Sequence, residues 1–175
     1  QVEGKNIFNS AKNLRQKQVI KRDDGTDLYI ELFNSKDWCK NEFQVTHQIN
    51  NDKGKYVNRY DVTILINGLP LVQIELKRRG IDFKEAFDQV CRYKKHSLNV
   101  SLFRYIQFFI VSNGMDTKYF SNSDGELNFE KTFYWSDIEN NRIDNLFDFS
   151  ISFLPKCHVA KMIARYMVIE ETHKL

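Results

Sequence analysis

This 175-residue chain lacks the sequence features of fibrous, low-complexity and membrane-spanning proteins. It contains only 7 glycines and 2 prolines, so a collagen-like, low-complexity or linker-rich chain is excluded. No apolar run approaches the roughly 18 residues that a membrane-spanning helix requires. No GxxxxGK[ST] phosphate loop is present, so this chain has no ATP-binding motor of its own.

Cysteine is also scarce. Cys39, Cys91 and Cys157 lie far apart in the sequence and form no CxxC pair. An odd number of widely spaced cysteines indicates neither a disulfide framework nor a zinc site. We therefore expect three unpaired thiols and a reducing, cytoplasmic environment. The 4 histidines have no metal-ligand spacing either.

The residues that are abundant are typical of one globular domain. Apolar and aromatic residues make up 42% of the chain, including 14 Phe and 8 Tyr, which is enough to form a core. The net charge of +3 is too small to demand or exclude a nucleic-acid partner, so the local distribution of charge has to decide. The chain begins with Gln1 rather than Met, and we do not expect residues 1–5 to belong to a signal peptide. We expect residues 1–175 to be a single domain, processed or excised from a longer protein.

Hydrophobic periodicity predicts an α/β fold, with a central mixed β-sheet flanked by helices. Residues 82–96 have apolar side chains at helical spacing, and residues 105–111 form an apolar run that suits a buried central strand. Residues 8–22 are basic and polar and fit a short helix or a loop, whereas residues 50–54 fit a turn. The other predicted strands are 27–33, 43–49, 60–66, 71–77 and 118–120, and the other predicted helices are 137–153 and 155–166.

Two of these strands carry charged residues in an otherwise apolar setting. Asn67-Gly68 between them is a strong hairpin signal. The hairpin brings Asp61 to the same open end as Glu75 and Lys77. Because side chains alternate along a strand, Glu75 and Lys77 share a face, and one pairing register places Asp61 on that face too. A slip of one residue would move Asp61 to the other face.

Two carboxylates and one ammonium group that lie close together can catalyse phosphodiester hydrolysis. Asp61 and Glu75 can hold Mg²⁺, with the carbonyl of Leu76 as a third ligand, and the cation can activate water and coordinate phosphate oxygens. Lys77 can orient the attacking water, help to deprotonate it or offset charge on the phosphate. The same Glu-x-Lys pattern also occurs on solvated strand faces, where it makes only a weak surface ion pair.

The helix that follows adds residues suited to DNA. Gln89 and Tyr93 lie four residues apart on one helix face, where they can position the DNA or support the site. The alternative for this pair is the half-buried face of an ordinary helix. Basic residues around the helix form a local phosphate-binding footprint, or they serve solubility alone. They are Arg78, Arg79, Lys84, Arg92, Lys94 and Lys95.

The hairpin sequence at residues 58–77 resembles the N-terminal nuclease domain of the restriction (R) subunit of type I restriction-modification enzymes. That family has the PD-(D/E)xK restriction-endonuclease fold. Its motif acids match Asp61 and Glu75, and its lysine matches Lys77. One departure is that Tyr60 precedes Asp61, where the motif has a proline.

The similarity extends beyond the hairpin. Residues 85–93 resemble the Gln-x-x-x-Tyr motif of the same family, and residues 37–48 and 101–114 are also similar. The resemblance implies cleavage of double-stranded DNA with Mg²⁺, for which Mn²⁺ would substitute. It also implies a longer cytoplasmic subunit whose missing translocase domains bind ATP. That subunit would join methyltransferase and specificity subunits and cut DNA far from the recognition site.

Two other functions fit the same residues. A free-standing nuclease of the repair or resolvase kind would share the core and would cut DNA without ATP or partners. A non-catalytic DNA-binding or docking module would keep only the fold, and its DNA binding would not respond to divalent metal. The sequence also leaves open whether one or two metal ions act, and whether Glu31 or Glu42 is a further catalytic acid.

Overall fold

Strands and helices follow one another along the chain largely as the hydrophobic periodicity predicts. The computed structural model describes residues 6–51, 58–98 and 102–169. Within them the strands are β1 (Lys17–Lys21), β2 (Asp27–Glu31), β3 (Phe43–Asn51), β4 (Asn58–Ile66), β5 (Leu69–Leu76), β6 (Phe108–Ser112), β7 (Thr117–Ser121), β8 (Trp135–Ser136) and β9 (Arg142–Ile143). The α-helices are α1 (Ile7–Arg15), α2 (Lys84–His96), α3 (Leu146–Phe153) and α4 (Lys156–Lys161), and a π-helical turn (Met162–Tyr166) continues α4.

A tight turn at Asn67 and Gly68 joins β4 to β5. The backbone angle φ is 51° at Asn67 and 77° at Gly68. A type I′ hairpin turn requires positive φ at both central residues, and asparagine and glycine adopt this conformation at little cost. The hairpin prediction is therefore confirmed.

The central sheet has five strands in the order β3-β4-β5-β6-β7. β5 and β6 are parallel, whereas the other neighbouring pairs are antiparallel. A parallel pair needs a crossover connection, which α2 provides. The predicted mixed sheet is confirmed, and so is the helix expected over 82–96, since α2 spans Lys84–His96.

Helices cover both faces of this sheet. The buried side chains where α3 and α4 meet the first face include Ile64, Ile74, Ile110, Phe149, Phe153 and Val159. Those where α2 meets the second face include Phe87, Val90, Phe109, Val111 and Phe120. This helix–sheet–helix layering confirms the predicted α/β architecture.

Three predicted elements have different boundaries in the structure. Residues 8–22 form α1 followed by β1, and β1 pairs with β2 in a separate two-stranded sheet. The strand expected over 105–111 begins only at Phe108, because residues 102–105 form a short 3₁₀ helix. The turn expected at 50–54 lies largely outside the described residues, and Asn50 still belongs to β3.

The C-terminal helices also differ in part. The helix expected over 137–153 begins only at Leu146, because the preceding residues form the short β8–β9 ribbon. Asn145 starts α3 as its N-cap, with a side chain that accepts a bond from the backbone N–H of Asp148. The helix expected over 155–166 is confirmed by α4 and its π-helical continuation. In the described parts of the chain, no helix is long and apolar enough to cross a membrane.

A disulfide bond joins Cys39 and Cys157, so the expectation of three free thiols is wrong. Cys39 lies in a short 3₁₀ helix, and Cys157 lies near the start of α4. These segments pack together with 4.9 Å between the two Cα atoms. The two residues are 118 positions apart in the sequence, so spacing could not indicate the pair. Cys91 on α2 is a free thiol.

Candidate active site

The pairing of β4 with β5 decides where Asp61 points. The register shifts by one residue between Ile64 and Leu65, as a β-bulge does. Without the shift Asp61 would lie opposite Ile74, on the wrong face of the sheet. With the shift it lies opposite Glu75, and the backbone nitrogen of Asp61 is 3.5 Å from Glu75 Oε1. The pairing register that the hairpin prediction needed is therefore the observed one.

Glu75 is a buried acid with one unpaired oxygen. Its side chain is fully buried, with an exposed fraction of 0%. Glu75 Oε1 accepts a hydrogen bond from Gln73 Nε2 at 3.0 Å, whereas Oε2 has no hydrogen-bond partner among the described residues. Burial, and then the nearby charge of Asp61, raise the pKa of Glu75 from 4.5 to about 8. Because an unpaired buried carboxylate oxygen is costly, we expect a proton or a cation at Oε2.

Asp61 is half-buried and is held against the end of β5. Asp61 Oδ2 accepts a hydrogen bond from the backbone N–H of Leu76 at 2.9 Å. Leu76 therefore contributes its N–H to the site by orienting the neighbouring acid. A ligand role for the Leu76 carbonyl stays a prediction.

A line of hydrogen bonds connects Lys77 to α2 and back to β4. Lys77 Nζ donates to Gln89 Oε1 at 2.5 Å, and Gln89 Nε2 donates to Tyr93 Oη. Tyr93 Oη in turn donates to the carbonyl of Arg59 at 2.9 Å. Burial raises the pKa of Tyr93 to about 12, which keeps the phenol protonated as a donor. In the structure, Gln89 and Tyr93 thus position Lys77 through protein contacts, and a role in positioning DNA stays a prediction.

Only some of the basic residues lie near the acids. Arg78 and Arg79 are exposed in the loop that directly follows β5. Arg92 is exposed on the outer side of α2, opposite the buried face of that helix. Lys94 is buried and donates to the carbonyl of Gly125 at 2.6 Å, so its ammonium group is bound within the protein. Of these four residues, Arg78 and Arg79 are the exposed ones that directly follow the strand carrying Glu75.

Two buried polar residues beside the acids were not among the predicted site residues. Thr63 and Gln73 are both 0% exposed. Thr63 Oγ1 donates to Gln73 Oε1 at 2.7 Å, and Gln73 donates to Glu75. Strand alternation places both residues on the face of the acids, and that signal could have found them. It was weak because polar residues on a strand face are usually solvated.

The oxygen groups of the site fit a hard divalent cation. Asp61 and Glu75 supply two carboxylates, and within the described residues Glu75 Oε2 is an acceptor without a hydrogen-bond partner. In the described residues no group of three or more His, Cys, Asp or Glu side chains could hold a metal ion, so neither Glu31 nor Glu42 completes a third carboxylate ligand. Mg²⁺ suits two carboxylates, because it takes oxygen ligands and keeps several of its waters.

The fold and the site define a class of protein. A mixed five-stranded sheet is flanked by helices, and a central hairpin brings two acids together at the end where Lys77 bonds to the crossover helix. This arrangement is that of the restriction-endonuclease-like fold. Residues 3–128 match the family model for the N terminus of the type I restriction enzyme R protein, and the chain belongs to this family.

Curated relatives carry names of the same kind. The chain is 57% identical over 174 residues to the endonuclease subunit of a type I restriction enzyme from Staphylococcus saprophyticus, covering 99% of this chain and 18% of the relative. It is 43% identical over 157 residues to such a subunit from Escherichia coli, covering 87% of this chain and 50% of the relative. A putative subunit from Methanocaldococcus jannaschii is 32% identical over 114 residues, covering 62% of this chain and 11% of the relative. The chain thus spans about a fifth of the length of the staphylococcal relative.

Proposed function

We propose that this chain is a Mg²⁺-dependent nuclease domain that hydrolyses DNA phosphodiester bonds. The buried Oε2 of Glu75, which has no hydrogen-bond partner in the part of the chain that the structure describes, carries this proposal, because it lies on the strand face that also presents Asp61. Burying such acids costs stability and contributes nothing apolar to the core, so their presence indicates a chemical use. Membership of the R-protein family supports the same reaction class.

Each residue of the site has a separate task in this proposal. Asp61 and Glu75 hold the cation, which when bound lowers the pKa of a coordinated water and polarises the scissile phosphate. Lys77, held by Gln89, orients the attacking water, accepts its proton or offsets charge on the phosphate. The exposed side chains of Arg78 and Arg79 contact the DNA backbone beside the acids.

The longer relatives suggest how the domain is used. We infer that it acts within an R subunit whose other domains bind ATP and move DNA. That subunit would assemble with methyltransferase and specificity subunits, so the choice of DNA site would lie outside this chain. The lengths of the relatives support the inference, because this chain covers only 18% of the staphylococcal subunit.

Calorimetric titration of Mn²⁺ tests the metal site without requiring the rest of the subunit. We expect saturable binding to this chain, weakened by more than about 100-fold in Asp61→Ala and in Glu75→Ala, since loss of an outer-shell partner alone costs about 10-fold to 100-fold. Asp88→Ala is the matched control, because Asp88 is exposed on the outer side of α2. A control variant that loses binding as the other two do would contradict the assignment.

Other outcomes separate the alternative functions. Cleavage by this chain alone, without ATP or other subunits, would favour a free-standing nuclease. Binding to a short DNA duplex that does not respond to divalent metal would favour a non-catalytic docking module. A complete lack of Mn²⁺ binding, with and without the duplex, would rule out the proposed metal site.

A further inference from the structure

A line of three buried polar side chains crosses the sheet beneath α2. Thr63 on β4 and Gln73 and Glu75 on β5 are each 0% exposed. Thr63 Oγ1 donates to Gln73 Oε1 at 2.7 Å, and Gln73 Nε2 donates to Glu75 Oε1 at 3.0 Å. Gln73 Nε2 also lies 3.3 Å from the carbonyl of Ile74, so both ends of the Gln73 amide are bonded.

Packing alone does not account for these polar residues. On the same face of β6 and β7 the buried side chains are apolar, namely Phe109 and Val111 on β6 and Phe120 on β7, whereas on β3 Thr46 lies opposite Thr63. Apolar residues at positions 63 and 73 would fill the same layer without burying an amide and a hydroxyl. A buried polar line of this kind is often no more stable than an apolar replacement of similar volume. The presence of Thr63 and Gln73 therefore indicates a task other than filling the core.

The direction of the bonds shows what that task is. The hydroxyl of Thr63 donates to the amide oxygen of Gln73, which turns the NH₂ group of Gln73 towards Glu75. When Glu75 is ionised, as it would be with a cation bound, the opposite orientation would set an amide oxygen against a carboxylate oxygen, which is repulsive. The result is that Glu75 Oε1 is occupied, while Oε2 has no hydrogen-bond partner in the described parts of the chain.

We propose that Gln73, oriented by Thr63, is a positioning residue that occupies one oxygen of Glu75 and presents only the other oxygen to the divalent cation. This inference rests on the proposed function. Asp61 is arranged in the same way, since the Leu76 N–H occupies Oδ2. The difference is that the Gln73 side chain donates to Glu75 Oε1, with the backbone N–H of Asp61 as a second and longer contact at 3.5 Å, whereas the bond to Asp61 Oδ2 comes from the backbone. The Gln73 restraint can therefore be removed without changing an acid.

Metal titration with variants of this line tests the inference. Gln73→Met keeps the length of the side chain but removes the donor, and we expect it to weaken Mn²⁺ binding by about 10-fold to 100-fold, as loss of an outer-shell partner does. Thr63→Val removes the hydroxyl that orients Gln73, so it should also weaken Mn²⁺ binding. Thr63→Ser keeps the hydroxyl and should bind Mn²⁺ within about threefold of the unmodified chain.

A matched control separates positioning from general damage to the sheet. Gln44→Met makes the same chemical change on β3, where Gln44 is exposed and lies opposite Leu65, and it should leave Mn²⁺ affinity unchanged. Thermal unfolding of each variant shows that it is folded. A purely structural role for Thr63 would lower stability in Thr63→Val without a selective loss of metal affinity. If Gln73→Met does not fold, the Thr63→Val and Thr63→Ser pair decides the question.

Three results would overturn the inference, and they can be told apart. Full Mn²⁺ affinity in Gln73→Met and Thr63→Val, together with no binding in Glu75→Ala, would leave the metal site intact and remove the positioning role. Equal losses in Thr63→Val and Thr63→Ser would show that the hydroxyl is not the active group. No binding by the unmodified chain, with or without a DNA duplex, would overturn the proposed function together with the inference.

Discussion

Replacing Glu75 with glutamine is expected to stabilise the metal-free chain, and the gain should grow as the pH rises from 4.5 to about 8. Burial, and then the charge of Asp61, raise the pKa of Glu75 from 4.5 to about 8. Between these two values the folded chain keeps a proton that the unfolded chain has released. Each pH unit in this window therefore removes about 1.4 kcal/mol of stability from the unmodified chain. The contribution of protonated Glu75 is complete below pH 4.5 and is lost as the pH passes about 8.

Urea unfolding in the presence of a chelator, at several pH values, measures this effect. The difference in free energy of unfolding between Glu75→Gln and the unmodified chain should reach on the order of 4 kcal/mol near the upper end of the window. Glu85→Gln is the matched control, because it makes the same change on the exposed side of α2. Added Mg²⁺ should stabilise the unmodified chain but not Glu75→Gln. A difference that is constant with pH would show that Glu75 does not hold a proton in the folded chain.

Replacing Lys77 with methionine is expected to lower DNA cleavage by about 100-fold to 10,000-fold while Mn²⁺ affinity stays nearly the same. The acids and their hydrogen bonds do not include Lys77, so the proposed cation site should persist. The lost group is the ammonium that, in the proposed function, acts on water or phosphate. Cleavage should be measured in the assembled restriction complex with ATP, because the isolated chain lacks a motor sequence.

Gln89 provides a graded test of the same step. Gln89→Leu removes the acceptor that holds Lys77 Nζ, and we expect a smaller loss of cleavage, of about 10-fold to 100-fold, because the lysine is present but misplaced. Lys12→Met is the matched control for the charge change, since Lys12 is exposed on α1 and lies outside the predicted phosphate-binding footprint. Cleavage by Lys77→Met at the rate of the unmodified enzyme would remove Lys77 from the mechanism. An undiminished rate in Gln89→Leu would show that Lys77 needs no support from α2.

Much of the fold could be predicted, because its signals are local. Asn67-Gly68 predicts the hairpin turn, because both residues readily adopt positive φ. The helical spacing of apolar residues in α2 likewise lies within one short segment of the sequence. The C-terminal region was harder. Residues 137–153 have a composition that suits a helix, but within their first part Arg142 and Ile143 form β9, which pairs with the preceding β8. The bond between Cys39 and Cys157 depends on the packing of segments 118 positions apart, which no local pattern contains.

The candidate site, like the fold, could be predicted only in part from the sequence. Alternation along β5 places Glu75 and Lys77 on one face whatever the rest of the chain does. The contacts of Gln89 with Lys77 depend on how α2 crosses the sheet, so spacing along the helix indicated only that Gln89 and Tyr93 share a face. The bonds from Thr63 through Gln73 to Glu75 required the cross-strand register, which the sequence left undecided.

The sequence by itself determined the hairpin, its charged open end and the family resemblance, because these depend on residues that are near neighbours in the chain. Only the tertiary structure decided that Asp61 faces Glu75. The shift of one residue between Ile64 and Leu65 turns Asp61 from the face of Ile74 to the face of the buried acid. Side chains alternate with a period of two, so a single extra residue in one strand changes which groups meet across the pair. The bulge depends on the packing of both strands within the sheet and cannot be read from either strand alone.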